Sequence, residues 1–375
     1  VNAPHALLLE NIHPTAHEEF ARHGVVVHTA AGSLGEAQLI EALRGLPGSG
    51  PVMLGIRSKT RVSARVLEAV PRLDAIGAFC IGTDQIDLAA ARAAGIAVFN
   101  APFSNTRSVA ELVLGEVIML ARHVFERSAQ CHRGQWNKSA EGCHEVRGKT
   151  LGIVGYGHIG SQLSVLAEAL GMKVRYFDIL PKLPLGNAAP CASLLELLST
   201  SDVVSLHVPD TEATRGMIGA DEIAAMRRGA ALINASRGLV VDIEALHAAL
   251  VAGHLTGAAI DVFPQEPARV GDAFESPLRG LDNVILTPHI GGSTEEAQAS
   301  IGREVASTLS RFFDTGATVG GVTLPAVEVG PVRSGSRLVN VHRNVPGVLS
   351  AINRVLGDSQ VNITGQSLAT VETIG

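Results

Sequence analysis

The sequence predicts an α/β protein built on parallel sheets with helices on both faces. First, short apolar runs alternate with helical patterns along most of the 375 residues, which is the rhythm of β-α-β units. Second, these runs are almost continuously apolar, as strands are when both faces of their sheet are covered. Third, a chain of this length exceeds a single hydrophobic core, so two or three domains are expected.

The first part of the chain, from Ala6 to about Phe103, shows this rhythm five times. Its apolar runs are HALLLE, GVVVHTA, PVMLGI, LDAIGAFC and IAVFNAP. A long helix is predicted from about Thr106 to Gln130, because apolar residues recur at steps of three and four. Ser104 or Asn105 could cap this helix. A polar loop over 133–148 follows.

The segment LGIVGYGHIGSQLSVLAEALGMKVRYFD, residues 151–178, is the most informative part of the sequence. An apolar strand opens into three glycines, and a helix and a second strand follow. Gly155 permits the tight turn, Gly157 lets a pyrophosphate approach the backbone, and Gly160 lets the helix pack closely on the sheet. The N-terminus of the helix offers N–H groups and partial positive charge to the phosphates. This order of features predicts a dinucleotide-binding unit.

Asp178 ends the second strand of this unit and selects the cofactor. It lies near the distance from Gly160 expected for the acid that accepts the ribose hydroxyls. A carboxylate suits the two ribose hydroxyls of NAD and repels the 2′-phosphate of NADP, which would require a nearby arginine. The next residues, 179–181, are Ile, Leu and Pro. The sequence therefore predicts NAD.

The β/α rhythm resumes after Asp178 and continues almost to the end of the chain. Strands are predicted at 202–208, 229–236, 257–263 and 283–289. A last helix is predicted from about Thr294 to Phe313, followed by a linker over 314–335 that carries a short strand. The remaining residues show the pattern strand, helix, strand.

Composition excludes several classes of protein. The net charge is −6 and the basic residues are dispersed, so the sequence lacks the basic patch that binding to nucleic acid or an anionic membrane requires. No apolar run has the length of a membrane span. The four cysteines form no CxxC pair, which favours reduced thiols in a cytoplasmic protein. No cluster of acidic residues has the spacing of metal ligands, so no metal site is predicted.

Polar residues follow the later strands, at the sheet edge where ligands of α/β proteins bind. Hydride transfer from a secondary alcohol needs a base, and histidine suits this role. A carboxylate can fix the tautomer of that histidine and raise its pKa, and an arginine can grip a substrate carboxylate at two points. Arg237, Glu266 and His289 supply one of each. Each alone has an ordinary structural interpretation, but together, after the dinucleotide unit, they indicate catalysis.

For eight other residues the sequence leaves both a binding role and a structural role open. Asp261 could accept a hydrogen bond from the nicotinamide amide, and His207 with Val208 and Pro209 could line the adenine or ribose. In the first domain, the turn at Ile81 and Gly82 could bind a carboxylate through its N–H groups. Arg57 and Lys59 follow a strand, where they either take a phosphate or belong to a solvated loop.

Six segments together resemble the D-isomer-specific 2-hydroxyacid dehydrogenase family. They are IGTDQIDLAAARAAGIAVFNAPFSNTRSVAEL, VGYGHIG, VVSLHVPDTEATRGMIG, INASRG, AAIDVFPQEP and LTPHIGGST. The resemblance covers essentially the whole chain and implies two Rossmann-like domains with the site in the cleft between them. The substrate-binding domain would comprise residues 5–104 and 293–333, and the NAD-binding domain residues 105–292.

The resemblance also implies roles for individual residues. Arg237 matches the arginine that binds the substrate carboxylate, His289 matches the acid/base, and Glu266 matches the carboxylate partner of that histidine. Relatives that act on formate carry glutamine in place of this glutamate, so formate is disfavoured. The implied cofactor site comprises Gly155, Gly157, His158, Ile159, Gly160, Asp178, His207, Val208, Pro209, Ala235, Asp261 and Gly291. The implied substrate site comprises Arg57, Lys59, Ile81, Gly82, Asn105 and Lys138.

The C-terminal segment 334–375 resembles an ACT regulatory domain through VHRNVPGVLSAI and VNITG. His342, Asn344 and Asn362 match residues that bind L-serine as an effector in feedback-inhibited members. The segment supplies only the first strand, helix and second strand of the βαββαβ unit, so we expect an incomplete domain with an exposed sheet edge. The resemblance implies a homo-oligomer with a dimeric core, and a tetramer where the ACT domain is complete.

The expected activity is therefore the NAD-dependent oxidation of a small anionic D-2-hydroxy acid. The family members that share the ACT segment oxidise 3-phospho-D-glycerate to 3-phosphohydroxypyruvate, at the entry to L-serine biosynthesis. Arg57 and Lys59 favour a doubly anionic substrate of this kind. Two alternatives stay open, namely the same chemistry on 2-hydroxyglutarate, glycerate or lactate, and an NAD-sensing regulatory protein without turnover.

Overall fold

The computed structural model describes residues 3–267, 271–332, 335–371 and 374–375. The chain divides into two compact units, Val1–Ser104 with Glu295–Gly375, and Asn105–Thr294. Each unit is built on one parallel sheet, so the predicted α/β fold with two parallel-sheet domains is confirmed.

The N-terminal part of the first unit alternates strands and helices. In chain order these are β1 (His5–Leu9), α1 (Pro14–Arg22), β2 (Val26–Ala30), α2 (Glu36–Arg44), β3 (Val52–Ile56), α3 (Ala64–Ala69), β4 (Leu73–Ala78), α4 (Leu88–Ala93) and β5 (Ala97–Asn100). The five parallel strands lie in the order β2-β1-β3-β4-β5.

The second unit continues the alternation on a larger sheet. In chain order it contains α5 (Thr106–Ala121), α6 (Val124–His132), β6 (Thr150–Val154), α7 (His158–Ala169), β7 (Lys173–Phe177), β8 (Ala189–Pro190), α8 (Leu194–Thr200), β9 (Val203–Leu206), α9 (Ala220–Ala225), β10 (Ala231–Asn234), a one-turn 3-10 helix (Gly238–Val240), α10 (Ile243–Val251), β11 (Gly257–Ile260) and β12 (Val284–Leu286). Its seven strands lie in the order β12-β11-β10-β9-β6-β7-β8. The chain then returns to the first unit with α11 (Glu295–Thr315) and α12 (Val348–Asp358).

Both sheets are covered on two faces, which explains the continuous apolar runs of the sequence. In β1, Leu7 and Leu9 pack into one hydrophobic cluster, whereas Ala6 and Leu8 pack into a second cluster on the opposite face. The buried side chains of the second unit divide between two clusters in the same way. Because successive side chains of a strand point to opposite faces, nearly every position of such a strand is apolar.

The single long helix predicted from Thr106 to Gln130 is wrong, because α5 and α6 are separate. His123 lies between them in the left-handed region, with a φ of 50°. A left-handed residue after the last turn ends a helix, and histidine adopts this conformation more readily than most residues. One nitrogen of its ring lies 3.1 Å from the carbonyl oxygen of Gly142, which holds the break in place.

The strands predicted near the C-terminus are also not formed among the described residues. In the linker, the short strand is reduced to one antiparallel bridge between Phe99 and Gly321. Near α12, the described residues of 335–375 form only single bridges, from Arg343 and Val371 to Ile374. A strand is stable only when its backbone pairs with a neighbour, and these segments lack a continuous partner. The ACT interpretation therefore stays a prediction.

The structure also bears on membrane spans, on the state of the cysteines and on metal binding. Within the described ranges, no helix combines the length and apolarity that crossing a bilayer would require. Cys80, Cys131, Cys143 and Cys191 are all free thiols. The part of the chain that the structure describes contains no group of three or more His, Cys, Asp or Glu side chains placed to hold a metal ion.

Candidate active site

The glycine-rich turn between β6 and α7 is closed around two of its three glycines. Gly155 has a φ of 90°, and a Cβ atom there would lie 2.2 Å from the carbonyl oxygen of His207. A Cβ atom on Gly160 would lie 2.3 Å from the carbonyl oxygen of Gly155. Both distances are far below van der Waals contact, so neither position accepts a side chain.

The middle glycine has the opposite environment. A Cβ atom on Gly157 would meet nothing within 4 Å, so the backbone at the start of α7 is open on this side. The first N–H groups of a helix have no partner within the helix and carry partial positive charge. The turn and the N-terminal residues His158 and Ile159 therefore form a cradle that fits a pyrophosphate.

Asp178 lies beside this cradle and has a role that the sequence did not indicate. One of its carboxylate oxygens accepts a hydrogen bond from the N–H of Tyr156 at 2.8 Å, and the other from the N–H of Leu180 at 2.9 Å. The carboxylate thus holds the glycine turn in shape. Because each carboxylate oxygen has a second lone pair, both can still accept a ribose hydroxyl.

His207, Val208 and Pro209 leave the end of β9 next to the glycine turn. A Cβ atom at Gly155 would lie 3.1 Å from the Cγ1 atom of Val208. The Nε2 atom of His207 lies 2.9 Å from the hydroxyl of Ser205, while its Nδ1 atom is buried without a partner among the described residues. Burial lowers the pKa of His207 to about 4, so this imidazole is neutral at pH 7 and is no acid/base candidate.

Arg237 leaves the end of β10 on a turn that buried polar groups hold. Asn234 is fully buried, and its amide donates to the carbonyl oxygen of Arg237 at 3.0 Å. A Cβ atom on Gly238 would lie 2.0 Å from the carbonyl carbon of Phe263. The turn that carries Arg237 therefore packs directly on the segment that leads to Glu266, with Ala235 at the same sheet edge.

His289 and Glu266 form a hydrogen-bonded pair. The Nδ1 atom of His289 lies 3.0 Å and 2.9 Å from the two carboxylate oxygens of Glu266. His289 adopts a φ of 55°, and such strain is retained where the surrounding structure imposes it, often at functional sites. About half of the His289 side chain is exposed, so its other nitrogen, Nε2, is accessible to a ligand.

The electrostatics of this pair suit proton transfer. The hydrogen bond to Glu266 raises the pKa of His289, which outweighs the opposing effect of burial. Burial alone would raise the pKa of Glu266, but the hydrogen bond and charge of His289, with help from Phe263 and Arg237, lower it overall. Glu266 is therefore the charged partner, and the positive charge of Arg237 lies close enough to affect both groups.

Asp261 ties down the loop that carries His289. It is 1% exposed, and its carboxylate accepts hydrogen bonds from the Thr287 hydroxyl at 2.6 Å and from the N–H groups of Ile290 and Gly291 at 2.8 Å each. The structure thus gives Asp261 a positioning role. Its predicted contact with the nicotinamide amide stays a prediction.

Glu116 lies in the core of the same unit and was not identified from the sequence. It is 1% exposed on the apolar face of α5, and neither carboxyl oxygen has a partner among the described residues. Burial, with a contribution from the charge of Asp261, raises the pKa of Glu116 to about 8. A single acidic residue within the run of apolar residues on α5 was the signal that could have revealed it.

The predicted substrate residues are divided between the two units. In the first unit, Arg57 and Lys59 follow β3, and Ile81 and Gly82 follow β4, so all four lie at the carboxyl edge of that sheet. Among the described residues, neither Arg57 nor Lys59 forms an ion pair. The carbonyl oxygens of Ile81 and Gly82 accept hydrogen bonds from the side-chain amides of Asn100 and Gln85, which hold this turn in place.

In the second unit, Asn105 is the N-cap residue of α5 without a side-chain capping bond. Its Oδ1 atom is buried and has no partner in the described part of the chain. Lys138 lies in the exposed loop after α6. Near the C-terminus, His342 pairs with Gly375 through the backbone. Asn344 precedes α12, and Asn362 is exposed after it, so their predicted effector role stays a prediction.

The two halves of the second-unit site are chemically complementary. The glycine turn and Asp178 fit the pyrophosphate and ribose of a dinucleotide, and Arg237, Glu266 and His289 lie at the carboxyl ends of other strands of the same sheet. Such an edge is where open α/β sheets bind ligands. An arginine beside a histidine–carboxylate pair can hold an anionic substrate and move one proton.

Comparison with known proteins agrees with this arrangement. Residues 114–291 match the model of the D-isomer specific 2-hydroxyacid dehydrogenase, NAD binding domain. A D-3-phosphoglycerate dehydrogenase of Haemophilus influenzae is 57% identical over 322 residues, covering 86% of this chain and 78% of the relative. The D-3-phosphoglycerate dehydrogenase of Escherichia coli K12 is 53% identical over 370 residues, covering 98% of this chain and 89% of the relative.

A solved structure extends the similarity to the fold. The crystal structure of D-lactate dehydrogenase from Aquifex aeolicus, complexed with NAD and lactic acid, superposes with a TM-score of 0.72 at 28% identity. It covers 86% of this chain, and this chain covers 100% of that structure.

Proposed function

Because the chain belongs to the D-isomer specific 2-hydroxyacid dehydrogenase family, we propose that it oxidises 3-phospho-D-glycerate to 3-phosphohydroxypyruvate with NAD. This reaction begins L-serine biosynthesis. The observation that carries the proposal is the His289–Glu266 pair beside Arg237, on the sheet that also bears the dinucleotide turn. The relatives named D-3-phosphoglycerate dehydrogenase and the two cations Arg57 and Lys59 support the phosphorylated substrate.

Each residue of the site has one task in this reaction. Arg237 binds the substrate carboxylate, and His289 accepts the proton of the C2 hydroxyl. Because Nδ1 of His289 donates to Glu266, the lone pair is on Nε2, and the carboxylate holds the ring in that tautomer. Bound NAD supplies the acceptor for the hydride that leaves C2. The positive charge that forms on His289 is stabilised by Glu266.

The choice of substrate is tested by initial rates of NADH formation. We expect 3-phospho-D-glycerate to give the highest kcat/KM in a panel with D-glycerate, D-lactate and D-2-hydroxyglutarate, because only a phosphate offers Arg57 and Lys59 a dianion. The reverse reaction, NADH oxidation with 3-phosphohydroxypyruvate, is measured in parallel. Turnover of the unphosphorylated acids alone would contradict the proposal that 3-phospho-D-glycerate is the substrate. NADH binding without turnover in either direction would favour an NAD-sensing protein.

The pH dependence of the rate tests the role of Glu266. Oxidation needs neutral His289, so kcat/KM rises with pH through the raised pKa of this histidine. In Glu266→Gln the negative charge is lost and a neutral amide oxygen replaces the carboxylate as acceptor, so the pKa of His289 falls and the rise is expected to move to lower pH. The maximal rate falls on the order of 10²–10⁴-fold, as when a carboxylate that orients a catalytic histidine is neutralised.

A pH profile of the wild type and Glu266→Gln, measured with saturating NAD, provides this comparison. Glu275→Gln is the matched control, because this exposed glutamate pairs with Arg279 on the surface. An unchanged pH midpoint in Glu266→Gln would contradict the assignment.

The assembly and regulation of the enzyme belong to the same proposal. Large apolar side chains are exposed on the second unit, including Phe125 at 47% and Trp136 at 87%. These exposures are compatible with the homo-oligomer with a dimeric core that the family resemblance implies. Assembly into a tetramer, control by L-serine and a cytoplasmic location stay predictions from the sequence.

A further inference from the structure

A buried glutamate holds the loop that carries Arg57 and Lys59. Glu10 follows β1 and is only 8% exposed. One of its carboxylate oxygens accepts a hydrogen bond from the N–H of Lys59 at 3.0 Å, and the other from the N–H of Thr60 at 2.7 Å. Two successive N–H groups therefore converge on one carboxylate, and hydrogen bonds to charged groups are among the stronger ones in proteins.

The backbone is strained where it places this carboxylate. Glu10 and Asn11 have φ values of 60° and 52°, in the left-handed region, which a glutamate adopts far less readily than glycine or asparagine does. A glutamate in this conformation persists only where the surrounding structure determines it. The turn directs the Glu10 side chain from the end of β1 to the neighbouring loop after β3.

The loop has a second tether at its other end. The side-chain amide of Gln85, itself buried, donates to the carbonyl oxygen of Arg57 at 2.7 Å. The side chain of Thr60 is fully buried, whereas that of Lys59 is exposed. Glu10 and Gln85 thus hold the backbone of residues 57–60, while the charged ends of Arg57 and Lys59 make no ion pair among the described residues.

We propose that Glu10 is a positioning residue for the substrate phosphate, because it holds Arg57 and Lys59 in place through the backbone of their loop. The inference rests on the proposed function, in which these two cations bind the phosphate. Two cations on a mobile loop would lose conformational entropy when they converge on one phosphate, and a loop held in advance avoids that cost. Glu10 touches neither substrate nor cofactor in this scheme.

Loss of the negative charge of Glu10 and loss of its hydrogen bonds to the loop are expected to change phosphate binding in opposite directions. A buried anion near a phosphate site repels the phosphate, so removing the charge alone would tighten binding. Removing the tether would weaken binding. In Glu10→Gln, a single amide oxygen replaces two carboxylate oxygens, and its NH2 group faces an N–H donor. Positioning therefore predicts a rise in KM, and simple electrostatics predicts a fall.

Steady-state kinetics of Glu10→Gln distinguish these outcomes. We expect KM for 3-phospho-D-glycerate to rise about tenfold, which corresponds to the loss of one charged hydrogen bond. The kcat, the KM for D-glycerate and the affinity for NADH should change less than about twofold on the same scale. Glu18→Gln is the matched control, because this glutamate is exposed on α1. An unchanged or lower KM for the phosphorylated substrate would overturn the proposal.

The variant Arg57→Ala separates this proposal from the proposed function. If Arg57→Ala leaves KM for 3-phospho-D-glycerate unchanged, the phosphate site itself is misassigned. If Arg57→Ala raises KM but Glu10→Gln does not, only the positioning role fails. In the background Arg57→Ala with Lys59→Ala, Glu10→Gln should have no further effect on KM. Should Glu10→Gln fail to fold, Glu10→Asp keeps the charge but is too short to reach both N–H groups, and it should raise the same KM.

Discussion

Replacing His289 with asparagine is expected to lower kcat for oxidation by about 10²–10⁴-fold, the usual contribution of a positioned general base. The substrate hydroxyl would then lose its proton to water. Asparagine tolerates the left-handed region better than most residues, so the φ of 55° at this position is retained and the loss reports on chemistry. The measurement is the initial rate of NADH formation with saturating 3-phospho-D-glycerate and NAD.

Two further measurements make this result specific. NADH affinity should be unchanged, because the glycine turn and Asp178 are intact in the variant. His247→Asn is the matched control and should keep wild-type kcat. This histidine lies in the middle of α10 and not at a strand end that bears the site. A kcat of His289→Asn within about threefold of the wild type would exclude His289 as the base, given the size of effect expected.

Replacing Glu116 with glutamine is expected to change how stability depends on pH. The pKa of Glu116 is raised from 4.5 to about 8. Between these values the folded state binds the proton more tightly than the unfolded state, so the free energy of unfolding falls as pH rises. At 1.36 kcal/mol per pKa unit, the wild type loses on the order of 4 kcal/mol between about pH 5 and pH 8 from this group. Glutamine does not titrate and removes this loss.

Thermal unfolding measured across this pH range tests the prediction. For a unit of this size, about 4 kcal/mol corresponds to roughly 10 °C in Tm. The Tm of Glu116→Gln minus that of the wild type should therefore increase by about this amount between pH 5 and pH 8. The control is Glu111→Gln on the same helix, where the glutamate is exposed and pairs with Arg107, an interaction worth little. Parallel Tm curves for Glu116→Gln and the wild type would show that Glu116 is not a buried neutral acid.

The dinucleotide turn could be predicted from the sequence because its requirements are local. Gly155 and Gly160 are enclosed by the carbonyl oxygens of His207 and Gly155, and Gly157 faces open space. These are the environments that the tight turn, the close helix and the approach of phosphate demand of glycine. The strands were equally predictable, because parallel strands buried on both faces admit few polar residues.

The long helix shows where local reasoning failed. The apolar period continues across His123, so nothing in the pattern announces the break between α5 and α6. The break depends on a contact with Gly142, a residue in a different loop. The predicted C-terminal strands failed for a related reason, because the pattern of a strand does not supply the neighbour that its backbone needs.

By itself the sequence determined the α/β class and the NAD cofactor, and it predicted the dinucleotide turn and the candidate residues Arg237, Glu266 and His289. These follow from composition, period and residue type, which are properties of short segments. Only the tertiary structure gave the geometry of the expected Glu266–His289 pair, and only it showed that Asp261 holds the loop of His289 and that Glu10 holds the loop of Arg57. Each of these pairings joins residues more than twenty positions apart. Their partners are selected when strands and loops pack together, because a buried charge must find its hydrogen bonds wherever the fold places them.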